Sequence, residues 1–184
     1  MGMVFYILGA VGILLLYFFS TYNSFIRLRN SVKEGFATMD VYLKKRWDLL
    51  PNLLEIVKGY MRHESDVLKS IVELRSLSYD KISQGDKMEM HEKLSTGIAK
   101  LMVVAENHPD LKASKNFLDF SAQLSKVEED IANARKYYNA VVKRLNTQVE
   151  MFPSNLVAKM FGFKPAPLFE AKALERETIQ VKLP

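Results

Sequence analysis

The fold is decided by the stretch "FLDFSAQLSKVEEDIANARKYYNAVVKRLNTQ" at residues 117–148. Mostly apolar residues recur in it at alternating steps of three and four for more than four heptads. Such a stripe is typical of one packed face of a long α-helix. The pattern predicts a helix over residues 110–150, roughly 60 Å long at about 1.5 Å per residue. The stripe consists of Phe117, Phe120, Leu124, Val127, Ile131, Ala134, Tyr138, Val141, Leu145 and Gln148.

A helix of this length needs an equally long partner, and the segment from Tyr22 onward is the part of the chain that supplies one. The apolar face of this segment must be buried, either by packing within the chain or by packing against the same helix of another subunit. We therefore predict an all-α fold in which an N-terminal transmembrane helix continues into a long-helix antiparallel bundle resembling a four-helix bundle. The residues on the packed face of the segment from Tyr22 follow one another mostly at intervals of three and four. They are Phe25, Arg29, Val32, Phe36, Met39, Leu43, Trp47 and Leu50.

The composition suits a helical domain with a membrane attachment. Apolar residues make up 48% of the 184 residues, and only 8 Gly and 6 Pro are present, which disfavours a loop-rich β fold. The absence of cysteine excludes disulfides and thiolate metal sites. The formal charge of +5 fits either nucleic acid or an anionic membrane surface.

The N-terminal segment favours the membrane. Residues 1–26 contain no charged side chain, and residues 3–19 are apolar except for two glycines and two tyrosine hydroxyls. A helix that crosses a bilayer needs roughly 17–25 such residues, so we predict an uncleaved transmembrane helix with Tyr17 and Tyr22 at the interface. A cleaved signal peptide and a buried core helix are the competing interpretations. Because Arg27, Arg29 and Lys33 follow the span, the positive-inside rule predicts a single-pass protein whose bulk is cytoplasmic.

The helix breakers divide the chain into an anchor at 1–26, a cytosolic bundle at 27–150 and a C-terminal segment at 151–184. Pro51 interrupts the first helical pattern, either as a kink or as a junction at which Asp48 caps a new helix. The sequence "SQGD" at 83–86 predicts a turn, followed by a third helix over 87–106. "NHPD" at 107–110 predicts the next break.

The segment "FPSNLVAKMFGFKPAP" at 152–167 predicts a short helix that Ser154 caps and Gly162 ends. It either lies in the membrane interface or docks on the bundle's own surface. Because the last long helix runs antiparallel to the first, this segment is expected near Tyr22 and Phe25. The residues predicted at the interface are Phe161, Phe163, Lys159 and Lys164.

Two asparagine pairs are predicted to set the register between the long helices. Asn23 and Asn30 are seven residues apart, as are Asn139 and Asn146, so each pair lies along one stripe of its helix. A polar layer is one interpretation, and ordinary surface polarity is the other. By the same argument Arg29 is a candidate partner of Glu128. The basic run at residues 44–46 is interpreted as a solvated face or a partner contact.

The sequence offers no support for enzymatic chemistry. "HESDV" and "HEKLS" each begin like a zinc-protease motif but lack its second histidine, and there is no glycine-rich nucleotide loop. The acidic run at residues 128–130 is interpreted as a solvated helix face. We therefore expect a protein that is not an enzyme, without a metal, cofactor, small-molecule substrate or nucleic-acid partner.

Three blocks of the chain resemble the LemA family of bacterial membrane proteins: "YNSFIRLRNSVKEGFATMDVYLKKRWDLLPNLLEIVKGYMRHE", "LSKVEEDIANARKYYNAVVKRLN" and "FPSNLVAKMFGFKPAPLFE". The blocks are spaced as in that family. Trp47 departs from the family, because many relatives carry His or another polar residue there.

The resemblance implies an N-terminal helix in the bacterial cell membrane and a helical bundle on the cytosolic side. It also implies a link to membrane remodelling through a magnetosome-membrane branch. We expect a membrane-anchored scaffold whose partners are the lipid bilayer, further copies of itself and another membrane protein. The alternative is an adaptor or accessory subunit of a membrane protease, since some relatives are encoded beside membrane metalloproteases.

Overall fold

The structure, a computed structural model, describes residues 1–59, 72–73, 79 and 82–169. Every regular element within these residues is helical, which confirms the predicted all-α class. The chain divides into two compact units: residues 1–36 with 135–184 form unit 1, and residues 37–134 form unit 2. The helices with defined bounds are α1 (Gly2–Lys58), α2 (Gln84–Glu106), α3 (Pro109–Ala113), α4 (Lys115–Glu150) and α5 (Ser154–Phe161).

The first part of α1 is apolar and entirely unburied. An 18-residue window near its start has a mean hydropathy of 2.3, with none of the window inside the fold. By length and composition this segment is able to cross a membrane. The next part of α1 changes character because it acquires a buried face.

In unit 1 this buried face packs antiparallel against the C-terminal half of α4. Ser24 Oγ donates to Gln148 Oε1 at 3.1 Å near one end of the contact. Near the other end, a Cβ on Gly35 would lie 3.4 Å from the Tyr137 ring and from the Tyr138 Cα. Glycine at position 35 therefore permits the close approach of the two helix backbones. Residues buried along this contact are Phe25, Phe36, Tyr138, Val141, Val142 and Leu145.

In unit 2 the end of α1 packs with α2, α3 and the first half of α4 around one apolar core. Trp47 is 1% exposed at its centre, and Leu94, Ile98, Leu101 and Ala105 of α2 are buried with it. Complete burial of an aliphatic side chain contributes roughly 1.5–3 kcal/mol relative to exposure, so this cluster is the main source of stability in the unit. The core includes Leu50, Leu53, Val57, Leu94, Ile98, Leu101, Ala105, Leu111, Phe117, Phe120 and Leu124.

Pro51 lies inside a continuous α1, so the interpretation of a junction between two helices is wrong. Proline removes one backbone hydrogen bond from the helix. The helix continues because Leu50, Leu53 and Leu54, on both sides of the proline, are buried in the core. Asp48 does not cap a helix either; its carboxylate accepts a hydrogen bond from Lys44 Nζ one turn earlier.

Capping groups explain two predicted helix starts that were misplaced. Helix α2 begins at Gln84 rather than residue 87, because Ser83 Oγ accepts the Asp86 N–H at 3.2 Å and caps the first turn. Helix α4 begins at Lys115 rather than residue 110, because the Ser114 backbone is extended and its Oγ accepts the Phe117 N–H. Residues 60–71, which follow α1 in the sequence, lie outside the described residues.

The end of the short helix was predicted correctly, and its start was not. Ser154 is the first residue of α5, and its hydroxyl donates back to the carbonyls of Gln148 and Met151. Ser154 thus closes the end of α4 instead of capping α5. Gly162 ends α5 in the left-handed conformation with φ of 70°, a conformation that L side chains rarely adopt.

Candidate functional site

An aromatic cluster formed by Tyr22, Phe25, Phe161 and Phe163 joins α1 to the end of α5 in unit 1. The Phe25 and Phe163 rings stack with centroids 4.6 Å apart, and Tyr22 contacts Phe161 at 4.7 Å and Phe163 at 5.8 Å. This confirms that the segment lies beside Tyr22 and Phe25. Tyr22 is three residues beyond the apolar stretch that ends at Phe19, so the cluster sits at the end of that stretch.

Helix α5 presents two different faces. Ser154, Val157 and Ala158 are buried against unit 1. The opposite face remains exposed although it carries Leu156 at 52% and Met160 at 65%. Phe161 lies on the packed side, where its ring contacts Tyr22, and is still 52% exposed. Lys159 and Lys164 are also exposed. An apolar exposed face bordered by lysines is typical of a helix that lies in a membrane interface.

Arg29 packs against the aromatic cluster, so its predicted pairing with Glu128 is wrong. Its guanidinium carbon lies 5.7 Å from the centroid of the Phe163 ring, within the range of a cation–π contact. The Glu128 carboxylate instead accepts a hydrogen bond from Arg46 Nη1 within unit 2.

The asparagines do not form a layer between the long helices. Asn23 and Asn30 are exposed on α1. Asn139 and Asn146 instead bind the C-terminal strap, residues 163–169, which has no helix or strand. Register between α1 and α4 therefore depends on apolar packing rather than on these amides.

Each of these two asparagines forms a reciprocal pair with the backbone of the strap. Asn146 Nδ2 donates to the Ala166 carbonyl at 2.9 Å, and the Ala166 N–H donates to Asn146 Oδ1 at 2.8 Å. Asn139 makes the same pair with Phe169 at 2.9 and 2.8 Å. Tyr138 Oη donates to the Pro167 carbonyl between them, and burial raises the pKa of this tyrosine. The seven-residue spacing thus matches a strap that runs along α4.

Unit 2 contains a buried polar network around Arg46, so the prediction that this member of the basic run 44–46 lies on a solvated face or a partner contact is wrong. The Arg46 side chain is 1% exposed, whereas Lys45 beside it is exposed. Its Nη1 donates to Glu128 Oε1 at 3.0 Å and to Ser95 Oγ at 2.8 Å. Its Nη2 donates to both Nδ1 and the carbonyl oxygen of His91.

The donors in this network determine the tautomer of His91. Because Arg46 donates to Nδ1, that nitrogen has no proton, and the Nε2–H donates to Tyr79 Oη at 3.2 Å. Tyr79 Oη in turn donates to Asp40 Oδ1 at 2.7 Å, and Lys87 neutralises Asp40 at 2.8 Å. The network therefore runs from Arg46 through His91 and Tyr79 to Asp40.

Burial and charge keep His91 and Tyr79 neutral. Desolvation, assisted by the charges of Arg46 and Lys87, lowers the pKa of His91 from 6.5 to about 3. Desolvation and the neighbouring Asp40 carboxylate raise the pKa of Tyr79. His91 and Tyr79 therefore each keep one protonation state near neutral pH. The arrangement suits a rigid structural network rather than proton transfer.

The signal that would have revealed Arg46 is its spacing. It lies three residues after Leu43 and four before Leu50, both of which are buried. A basic residue at these steps lies on the packed face of the helix and needs a buried partner.

The expectation about metal sites was based on incomplete histidine motifs in the sequence. In the described ranges, no group of three acidic or histidine side chains is able to hold a metal ion.

The model of the LemA family matches residues 35–183, which include the buried network, the asparagine pairs and the strap. The chain belongs to the LemA family. The LemA match begins at Gly35, after the apolar start of α1 and after Tyr22 and Phe25 of the aromatic cluster.

Protein LemA of Metamycoplasma hominis is 27% identical to this chain, over 94% of the chain and 79% of the relative. Magnetosome protein MamQ of Magnetospirillum gryphiswaldense is 22% identical, and magnetosome protein MamQ 2 of Paramagnetospirillum magneticum is 20% identical. Each magnetosome match covers 82% of this chain but only 65% of the relative. Together with the unburied apolar segment, these similarities support membrane association of this LemA-family chain.

Proposed function

We propose that the protein is a non-enzymatic, single-pass membrane scaffold that takes part in membrane organisation or remodelling. Its N-terminal helix spans the bacterial cell membrane, and the bulk of the chain lies on the cytoplasmic side. The similarity to magnetosome proteins supports the membrane-remodelling part of this proposal.

The observation that carries the proposal is the continuity of α1. One helix, Gly2–Lys58, has an unburied apolar start and then a face packed in the folded core. A flexible linker would let the anchor and the folded part move independently. A continuous helix instead fixes unit 1 to the membrane, as a scaffold requires.

We also propose that copies associate through the apolar segment. The long stripe of α4 no longer needs a second subunit, because most of its side chains are buried within the chain. The side chains of residues 3–8 and 13–16 remain exposed. Association in the membrane plane would give a detergent-extracted particle larger than one chain, whereas a single-chain particle would contradict it.

Alkaline extraction of membranes tests the anchor. The full chain should stay in the membrane pellet, and Leu14→Arg with Leu15→Arg should release it, since each arginine in mid-span costs roughly 2.5–3.5 kcal/mol. The matched control places arginines at Thr38 and Val41, two exposed positions later in α1, and should leave the chain in the pellet. Release of the unaltered chain, or retention of the Leu14 and Leu15 variant, would contradict anchoring by this helix.

A further inference from the structure

A groove of about 840 Å³ runs along unit 1 between α1 residues 17–28 and α4 residues 140–151, and residues 152–154 close one end of it. On each helix the lining residues recur at steps of three and four, so two facing stripes form the walls. The volume is in the range of small-ligand pockets.

Small side chains account for the groove. Ser20, Thr21 and Ser24 face it from α1, and Ala140 and Thr147 face it from α4. Other large apolar side chains of unit 1, such as Phe25 and Leu145, pack together and do not line the groove. The facing stripes therefore leave space that no side chain of the described chain occupies.

The two ends of the groove differ in chemistry. Lys143 and Arg144 line the end near Leu28, and both are exposed without an ion-pair partner among the residues that the structure describes. Tyr17, Met151 and Phe152 line the other end. Along the helix axis Leu28 and Tyr17 are roughly 16 Å apart at about 1.5 Å per residue. The apolar end adjoins the stretch that ends at Phe19, which is able to span a membrane.

We propose that this groove binds an anionic phospholipid of the bilayer. The phosphate lies between Lys143 and Arg144, and the acyl chains pass Tyr17 and Phe152 towards the membrane. This proposal rests on the proposed membrane anchoring, because the apolar end reaches lipid only if the N-terminal segment is inserted. A free phosphate would satisfy the basic end alone and leave the apolar end uncovered.

Native mass spectrometry of the full chain, released from micelles that contain equal amounts of phosphatidylglycerol and phosphatidylcholine, tests the proposal. The chain should retain phosphatidylglycerol in preference to phosphatidylcholine. Lys143→Ala with Arg144→Ala should lower phosphatidylglycerol retention by roughly twenty-five-fold, since each basic residue near an anionic headgroup contributes about a factor of five. Lys115→Ala with Lys126→Ala removes the same charge from exposed α4 positions outside the groove and should change little.

A steric variant separates the groove from simple surface charge. Thr147→Trp fills the groove at an exposed position and keeps both basic residues, so it should also reduce phosphatidylglycerol retention. The lipid site would be overturned if phosphatidylglycerol retention were unchanged in this variant or in the Lys143 and Arg144 variant. It would also be overturned if free glycerol phosphate displaced phosphatidylglycerol as well as phosphatidylglycerol itself does. Failure of the lipid site alone would leave the chain in the membrane pellet after alkaline extraction. Failure of the proposed anchor would instead release the chain from membranes.

Discussion

At the scale of single residues, Arg46 explains why unit 2 contains charged groups in its interior. A buried guanidinium is costly unless its donors are paired, and Glu128 supplies the compensating charge from α4. The Glu128 side chain is 40% exposed, so solvent weakens this attraction. Neighbouring Glu129 is exposed and provides a matched comparison.

We expect Glu128→Gln to lower the free energy of unfolding by about 2 kcal/mol, because it leaves Arg46 buried without a counter-charge. Glu129→Gln should change it by less than about 0.5 kcal/mol. Urea unfolding of the full chain in detergent micelles measures both values, with Trp47, the single tryptophan, as a buried fluorescent reporter. Equal effects of the two substitutions would show that the Arg46 pair does not stabilise unit 2.

His91 should make stability depend on pH. Above pH 6.5 the histidine is neutral in both the folded and unfolded chain, so it adds no pH dependence. Between pH 6.5 and about 3 only the unfolded chain takes up the proton, and the free energy of unfolding falls by about 1 kcal/mol per pH unit. Unfolding measured between pH 6.5 and 5, above the usual carboxylate range, should show this fall.

Substitution assigns that pH dependence to one histidine. His91→Gln should flatten the fall between pH 6.5 and 5 even where it lowers stability overall, and His108→Gln should preserve it. An unchanged slope in the His91 variant would mean that another group takes up the proton.

The spacing of Arg46 places it on the packed face, but the sequence could not reveal which side chains it meets, because its partners are far away along the chain. Arg46 meets His91, Ser95 and Glu128, which are 45, 49 and 82 residues distant. Helical periodicity indicates which face is packed but not which side chains meet on it. It therefore predicted the burial of Leu43 and Trp47 and misplaced Arg46.

At the scale of elements, the strap depends on its asparagine pairs. Asn146→Ala removes both hydrogen bonds to Ala166, each worth about 1 kcal/mol net. We expect the Ala166 amide to exchange its hydrogen markedly faster in this variant, with little change at Leu145 in α4. Asn133→Ala, at an exposed α4 position, is the control. Unchanged exchange at Ala166 would show that other contacts hold the strap.

Element types were predictable from local spacing, but element bounds depended on capping groups and packing. The steps of three and four predicted α4 and the buried face of α1. Helix α4 begins later than predicted because Ser114 caps it, and α1 continues past Pro51 because residues on both sides of the proline pack in the core. The strap has no periodicity, so the spacing of Asn139 and Asn146 showed one stripe without showing what covers it.

At the scale of the whole molecule, we propose that α1 crosses the membrane and that the residues after the span lie on the cytoplasmic side. The chain has no cysteine, so single cysteines can report topology without background labelling. Gly2 lies before the apolar segment, and Lys126 is an exposed residue of α4. Neither is part of a packed core, so substitution there should not disturb folding.

Thiol labelling in intact cells with a membrane-impermeant reagent therefore tests this claim most directly. Gly2→Cys should be labelled at once on the outer side, and Lys126→Cys should be labelled only after the cells are permeabilised. Labelling of Lys126→Cys in intact cells would reverse the topology, and protection of both cysteines until permeabilisation would contradict a membrane-spanning α1.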